Sequence, residues 1–560
     1  MITEDLLLQI PLFSQLSPQQ LTQIAARAAD VQLQAGEWLI QEGEVPSFFV
    51  LLAGSFDVIK QYGDVDHIID KYATVGEYFG ELPLLIGSTA IASLRATEPS
   101  RILRLDPIDF HTFIVETPAL SSQLLKTMAR RVGNLQRLTI ENNAAAIRVI
   151  GYRWDPQCHE LRDFLARNRV PFEWLTPTES AAQVYLQKAE VNNTCPLVVL
   201  QDGSILVTPA LREVAERIGL QTMPSVDTYD LAIIGAGPAG LAAAVYGASE
   251  GLKTLLIDRE APGGQAGTSS RIENYLGFPA GLSGEELSRR AWQQARRFGA
   301  EILVARKVES INLDEAQRGI VLDGGECINA KAIVIATGVN WRLLALPNLD
   351  QFVGRGIYYG AARTEALGTN GKDVYLVGGG NSAGQAAIFF ANYARSVTIL
   401  IRGASLSKTM SQYLIDQLAT KANITVQAHS EIVAGQGKEH LEAIVVRNNQ
   451  TQTEQVHQTS TVFVFIGADA QTEWLPEIIS RDDDGYILTG QDVLANQTAA
   501  THWPLTRDPF LLETSVPGIF AAGDVRHGSV KRVASGVGEG SISISFIHQY
   551  LADLTDDPTI

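Results

Sequence analysis

Two segments of this chain repeat one local design that few folds can host. An apolar strand runs straight into a glycine-rich turn, and the turn opens a helix. In the first, Asp230-Leu231-Ala232-Ile233-Ile234 enters Gly235-Ala236-Gly237-Pro238-Ala239-Gly240, with a helix expected from Leu241 to Glu250. In the second, Asp373-Val374-Tyr375-Leu376-Val377 enters Gly378-Gly379-Gly380-Asn381-Ser382-Ala383. The glycines permit a tight turn and let a pyrophosphate approach backbone N–H groups at a helix N-terminus. Each unit therefore predicts a dinucleotide-binding α/β domain on a doubly wound parallel sheet.

The strands that follow separate the two. Thr254 to Ile257 ends at Asp258, roughly 20 residues past the first turn, where the ribose-binding acid of such a fold belongs. Val397 to Ile401 ends at Arg402 instead. An acid there would repel a 2′-phosphate and an arginine attracts it, so the second site favours NADPH over NADH. Lys408 either assists or is simply solvated. Two such units imply two dinucleotides, commonly a flavin and a nicotinamide.

The remaining length demands further domains, since 560 residues exceed one hydrophobic core. The net charge of −18 disfavours nucleic-acid or anionic-membrane binding, which needs a positive field. The three cysteines, Cys158, Cys195 and Cys327, are too few and too scattered for a disulfide scaffold or a zinc cluster, and no metal is expected. Met1 to Gln20 does not read as a secretory signal, and no run of about eighteen apolar residues occurs, so a cytoplasmic protein is expected.

Further motifs resemble the thioredoxin reductases. Gly263-Gly264-Gln265, then Arg271-Ile272-Glu273-Asn274-Tyr275 and Gly277-Phe278-Pro279, look like that family's flavin-binding loop. Ile335-Ala336-Thr337-Gly338 resembles its strand-to-loop crossing, and Gly518 to Asp524, through Gly523, its closing flavin motif. Lys531-Arg532-Val533 fills the slot that faces the flavin. The resemblance covers residues 227 to 560. It implies an FAD domain in two pieces, 227–342 and 466–560, an inserted NADPH domain at 345–465, a homodimer, and rotation between the domains.

One departure decides the chemistry. The family carries a Cys-x-x-Cys before the second glycine turn, but here Gly360-Ala361-Ala362-Arg363 stands in its place. Thiolate chemistry cannot be done without thiolates, so the family's disulfide relay does not carry over. Reduced flavin would pass electrons directly to a small-molecule or protein acceptor, or to sulfur elsewhere in the chain; otherwise the flavin unit is mainly a redox sensor.

Residues 146–222 resemble a glutaredoxin-like thioredoxin fold. Cys195-Pro196-Leu197-Val198-Val199 looks like its proline-entered strand. Asp155-Pro156-Gln157-Cys158 lies where Cys-Pro-x-Cys would be expected, with Asp155 at the nucleophilic position. Either this is a structural adaptor with inert thiols, or Cys158 and Cys195 face each other as a reversible pair. A helix is expected from Leu161 to Asn168, and Gln221 to Thr228 reads as a linker.

Residues 1–141 open with short β-rich runs punctuated by glycine, a jelly-roll pattern, and close with a helical period over 119–140. Phe48 to Gly54 and Gly76 to Leu82 resemble a cyclic-nucleotide-binding domain. The resemblance places the Gly80-Glu81-Leu82 turn on a ribose, but puts Ala90 where the phosphate-binding arginine belongs. Arg95 is near in sequence and, on a strand, could point either way. The domain is expected to take a cyclic nucleotide or another small ligand, or to serve as a degenerate pocket or dimer module.

Overall fold

The computed structural model describes residues 2–14, 16–62, 65–86, 88–116, 147–152, 155–191, 194–269, 271–313, 318–360 and 367–556. The chain forms two compact units, Met1–Ala146 and Ile147–Ile560. The helix expected over 119–140 lies outside the described residues.

In the first unit two four-stranded antiparallel sheets face each other, ordered Ala29–Leu33, Ser100–Leu105, Phe48–Ala53, Tyr78–Phe79 and Trp38–Ile40, Ser93–Ala96, Phe56–Tyr62, Val65–Tyr72. The period-2 alternation of a strand explains how Phe48-Phe49-Val50-Leu51 can be buried throughout. Phe49 and Leu51 point between the sheets with Phe56, Phe79, Ala90 and Leu94. Phe48 and Val50 point the other way, onto Leu7, Phe13, Leu21 and Ile24 of the N-terminal segment. The Pro18–Arg27 helix there starts at a capping box between Ser17 and Gln20.

The second unit begins with a four-stranded sheet ordered Phe172–Leu175, Ile147–Ile150, Leu197–Val199, Ile205–Val207. Its first pair is parallel and the others antiparallel. The Cys195–Pro196 peptide that enters the third strand is cis. The helix expected from Leu161 starts earlier, at Pro156, because Asp155 caps it and proline suits the first helical position.

Next comes a larger, mostly parallel sheet, ordered Glu301–Leu303, Thr254–Ile257, Thr228–Ile234, Cys327–Ile335, with Ile519–Ala521 beside the last strand and the strands Arg318–Leu322 and Val308–Asn312 added antiparallel. Inserted into it is a five-stranded parallel sheet, Ile357–Tyr359, Val462–Val464, Asp373–Val377, Ser396–Leu400, Ile424–Gln427, with a three-stranded antiparallel sheet at its side. The chain crosses between these two Rossmann-like domains through a short antiparallel ribbon, Asn340–Trp341 against Ala468–Asp469.

The small 147–220 domain is not loosely tethered. One apolar cluster runs from Val149, Leu161 and Phe164 into Leu231, Ile233 and Ala243. The segment read as a linker is bound down. Ser225 donates through its N–H and Oγ, and Tyr229 through its hydroxyl, to Glu301. Arg306, wholly buried, donates to the Thr222 carbonyl at 2.7 Å and pairs with Asp323 and Glu326. No helix among the described residues is long and apolar enough to cross a membrane.

Candidate functional site

The first glycine turn is shaped by close backbone approach. Gly235 has φ +103°, and a Cβ there would lie 2.4 Å from the Ala336 carbonyl oxygen. A Cβ on Gly240 would lie 1.8 Å from the Gly235 oxygen. Glycine at both positions lets the Pro238–Ser249 helix start directly behind the strand. Gly237, at its N-cap, offers no side-chain oxygen, so the first-turn N–H groups stay available to a ligand or water.

Asp258 ties this turn together. Its carboxylate accepts the Ala236 N–H at 2.7 Å and the Glu260 N–H at 2.9 Å. Desolvation pushes its pKa above the usual carboxylate value. The two N–H bonds and the charge of Arg167 oppose that rise, and Glu260 adds to it.

Around the turn, Gln265 donates to the Val339 carbonyl at 2.5 Å, fixing the Gly264–Gly267 turn of helix against the crossing loop. In that loop Thr337 has a buried hydroxyl with no hydrogen-bond partner among the described residues. Such an orphan beside a glycine cradle fits a site completed by a polar ligand. Asn274 is exposed.

The C-terminal motif packs on the same helix. A Cβ on Gly540 would lie 2.0 Å from the Ala239 oxygen and one on Gly523 would lie 2.9 Å from the Ala239 Cβ, so the Val533–Asp556 helix meets the Pro238–Ser249 helix at close range. Glu539 reaches back to accept the Gly523 N–H at 2.7 Å and pairs with Arg526. Asp524 is half-buried, and desolvation raises its pKa while Lys531 opposes the rise. Lys531 donates to the Tyr486 hydroxyl at 2.6 Å and lies 4.6 Å over its ring. Arg532 is exposed and Val533 partly exposed at the helix start. Glu539 and Tyr486 were not singled out from sequence; both act across long separations.

The second turn follows the same logic with a different surround. Gly378 has φ +133°, and a Cβ there would lie 2.2 Å from the Phe465 carbonyl oxygen. Gly380 caps the Asn381–Phe390 helix without a side-chain oxygen. Ala383 is fully buried against the sheet and Ser382 is exposed. The Asn381 side chain is already used: it accepts the Ser411 N–H at 2.7 Å and donates to the Ser411 hydroxyl at 3.0 Å, holding the loop that passes over the turn. Its expected contact to a nucleotide is thereby limited to its backbone. Arg402 is exposed and has no ion pair among the described residues, and Lys408 is exposed nearby.

Gly360, the first of the four residues expected to stand in place of a Cys-x-x-Cys, has φ +84°, and a Cβ there would sit 3.2 Å from the Trp341 indole. Ala361, Ala362 and Arg363 lie outside the described residues.

All three cysteines are free thiols. Cys158 is buried, and its N–H donates to the Asp155 carboxylate at 2.9 Å. Burial, then the Asp155 charge, pushes its thiol far up. The same two causes push Cys195 up to about 11. Where a thiolate would draw on the helix N-terminus, a carboxylate holds that place, which disfavours the thiolate form of both sulfurs.

In the first unit Glu81 is buried at the turn after Gly80, whose Cβ would lie 2.1 Å from the Ser47 oxygen; Leu82 is buried beside it. Ala90 packs into the apolar interior between the sheets. Arg95 lies over the Trp38 ring at 5.1 Å, on the face opposite its buried neighbours Leu94 and Ala96, and so points out of the roll. That alternation was legible. The cation that does reach this region is Lys60, which donates to the Ile91 carbonyl at 2.6 Å and pairs with Glu42 at 2.7 Å.

A family model described as pyridine nucleotide-disulphide oxidoreductase matches residues 229–540, and one described as cyclic nucleotide-binding domain matches residues 30–117. The chain is 34% identical over 322 residues to a Clostridium pasteurianum "34.2 kDa protein in rubredoxin operon", spanning 58% of this chain and 97% of that one. It is 32% identical over 335 residues to a thioredoxin reductase of Bacillus subtilis (strain 168), spanning 59% and 96%. Lactococcus lactis thioredoxin reductase in its FR conformation is similar in structure, with TM-score 0.52 at 28% identity over 58% of this chain and 100% of that one. The two glycine cradles thus lie within a match that runs over more than half of the sequence, and the chain belongs to the pyridine nucleotide-disulphide oxidoreductases, as a thioredoxin-reductase-like enzyme carrying a cyclic nucleotide-binding domain.

Proposed function

We propose that this protein is an NADPH-oxidising FAD oxidoreductase that passes electrons from flavin to an external acceptor without a cysteine relay. The observation that carries the reading is the pair of glycine cradles with opposite charges at their strand ends, Asp258 at one and at the other an exposed Arg402 with no ion pair among the described residues. When bound, FAD supplies a two-electron centre that accepts hydride from a nicotinamide and gives electrons onward.

The residues of the chain divide the remaining work. Gly237, Ala239 and Gly240 would offer N–H groups to a pyrophosphate, with Gly235 shaping the turn and Pro238 starting the helix, and Asp258 would take a ribose. Thr337 supplies a free hydroxyl from the crossing loop, flanked by Ala336 and Gly338. Gly264, Gln265, Asn274, Gly523, Asp524 and the Lys531-Arg532-Val533 start of the last helix enclose the flavin. Gly378, Gly380, Ser382 and the Asn381 backbone receive the NADPH phosphates over Ala383, with Arg402 on the 2′-phosphate. The paired ribbon Asn340–Trp341 and Ala468–Asp469 is where a rotation between the two domains would bend. A homodimer, which analytical ultracentrifugation would detect, completes the expected assembly.

Anaerobic mixing with NADPH tests the core of this reading. Flavin absorbance near its visible maximum should bleach, and return when an acceptor is added. A purified chain that is colourless and cannot be reconstituted with FAD overturns it.

The matched N-terminal domain favours a second element, regulation or sensing by a small ligand. A cyclic nucleotide is the first candidate, with Glu81 for its ribose and Lys60, which bonds the Ile91 carbonyl next to Ala90, as a candidate cation. Sustained NADPH consumption with artificial acceptors separates an enzyme from a sensor whose flavin is reduced once.

A further inference from the structure

The loop that follows the Thr254–Ile257 strand carries the acid of the first cradle, and each of its residues is held. Asp258 accepts N–H groups from Ala236 in the glycine turn and from Glu260. Arg259 donates to Asn340 in the inter-domain ribbon at 2.9 Å. Glu260 is captured from outside the Rossmann-like domain. Arg167 Nη1 donates to its carboxylate at 2.5 Å, Arg167 Nη2 donates to the Ala261 carbonyl at 3.3 Å, and Asn168 Nδ2 donates to the Glu260 carbonyl at 3.2 Å.

Arg167 and Asn168 end the Pro156–Arg167 helix of the small middle domain, which lies outside the matched family region. Asn168 is buried and spends its amide on Glu260 and on the Phe164 carbonyl at 3.0 Å. The Arg167 side chain is 19% exposed and that of Glu260 41%, so the pair is partly shielded from water on the arginine side. The charged groups facing Asp258 are Arg167 and Glu260; Asp163, 3.8 Å from Arg167, belongs to the same cluster.

From this geometry we infer that the middle domain completes the first dinucleotide cradle, with Arg167 and Asn168 as positioning residues that hold the Asp258 loop for the adenosine half of FAD. The inference rests on the FAD reading above. Two carboxylates one residue apart in a half-buried turn repel each other. The guanidinium offsets that repulsion and opposes protonation of Asp258, which favours the carboxylate as an acceptor for ribose hydroxyls. The fusion of the middle domain thus acquires a role that does not require its cysteines.

The test uses the full chain, stripped of flavin and titrated with FAD by fluorescence quenching across a pH series. Arg167→Met should weaken FAD binding by about tenfold, the scale of one charge-assisted contact. It should also move the pH at which affinity falls upward, because Asp258 then protonates more readily. Arg167→Lys should restore that midpoint in part. Glu260→Gln removes the like charge and should move the midpoint down, an opposite sign that loss of packing cannot produce. Should Arg167→Met fail to fold, Glu260→Gln and Arg167→Lys carry the test alone. Wild-type affinity and midpoint in all folded variants overturn the inference. A wild-type chain that binds no FAD at all overturns the FAD reading itself, and this inference with it.

Discussion

The two glycine cradles share one backbone solution and differ in how their charged strand ends are held. Asp258 accepts two backbone N–H groups and faces an arginine from a neighbouring domain. Arg402, at the matching place in the second cradle, is exposed and has no ion pair among the described residues. There the order lies in the overlying loop, through Asn381 and Ser411 and through the Thr409 hydroxyl on the Gly379 carbonyl at 2.7 Å. A preorganised, partly buried seat suits a ligand that stays, since ordering costs are met in folding. A solvated cation suits a ligand that must leave each cycle.

The largest expected effect breaks the seat itself. Gly240→Ala would press a methyl to within 1.8 Å of the Gly235 oxygen, and neither backbone can yield cheaply. It should abolish co-purifying flavin and cost about 1–3 kcal/mol or more. The ratio of visible to ultraviolet absorbance, with a melting curve, checks both; full flavin content would show the turn to be more forgiving than its geometry.

Arg402→Ala comes next and addresses the other side of the comparison. It should raise the KM for NADPH by about tenfold and leave that for NADH nearly unchanged. Equal rises for both cofactors would mean that Arg402 does not read the 2′-phosphate.

A smaller effect is expected from sulfur. Cys158→Ser and Cys195→Ser should leave acceptor-linked NADPH oxidation within about twofold of wild type. Because the Cys195 thiol lies at about 11, its alkylation should keep accelerating through pH 9 without levelling. The sign for stability follows. The folded protein holds this proton above the ordinary thiol pKa, so stability falls as pH rises from there toward 11. Early levelling of alkylation would reopen the thiol pair.

The smallest effect lies in the first unit. Lys60→Ala removes a part-buried pair with Glu42 and should cost roughly 0–1 kcal/mol. If the domain binds a cyclic nucleotide, the same change should weaken that binding, as seen by calorimetry.

Much of the candidate site was legible because its parts are local. Strand, glycine turn and helix start follow within about ten residues, and the positive φ at Gly235 and Gly378 is a demand that few other residues meet. The outward direction of Arg95 follows from the apolar residues on either side of it, Leu94 and Ala96. The start of the Pro156–Arg167 helix was also written locally, in Asp155-Pro156, although the apolar period alone suggested a later beginning. Glu539 against Gly523, Tyr486 against Lys531, and Asn381 against Ser411 were not legible, since each joins groups from segments distant in sequence that meet only when the fold packs.

By itself, the order of residues determined that this chain builds two strand–glycine turn–helix units whose following strands end in residues of opposite charge, Asp258 and Arg402, and that its three cysteines lie outside both. Backbone geometry and covalent composition are properties of short segments, and they survive whatever surrounds them. Only the tertiary structure decided that burial, then the Asp155 charge, pushes two thiols up, that Ala90 is packed into the interior, and that Arg167 stands beside an acid from another domain. Those outcomes depend on desolvation and on charges brought together across the fold, and neither exists until distant segments pack.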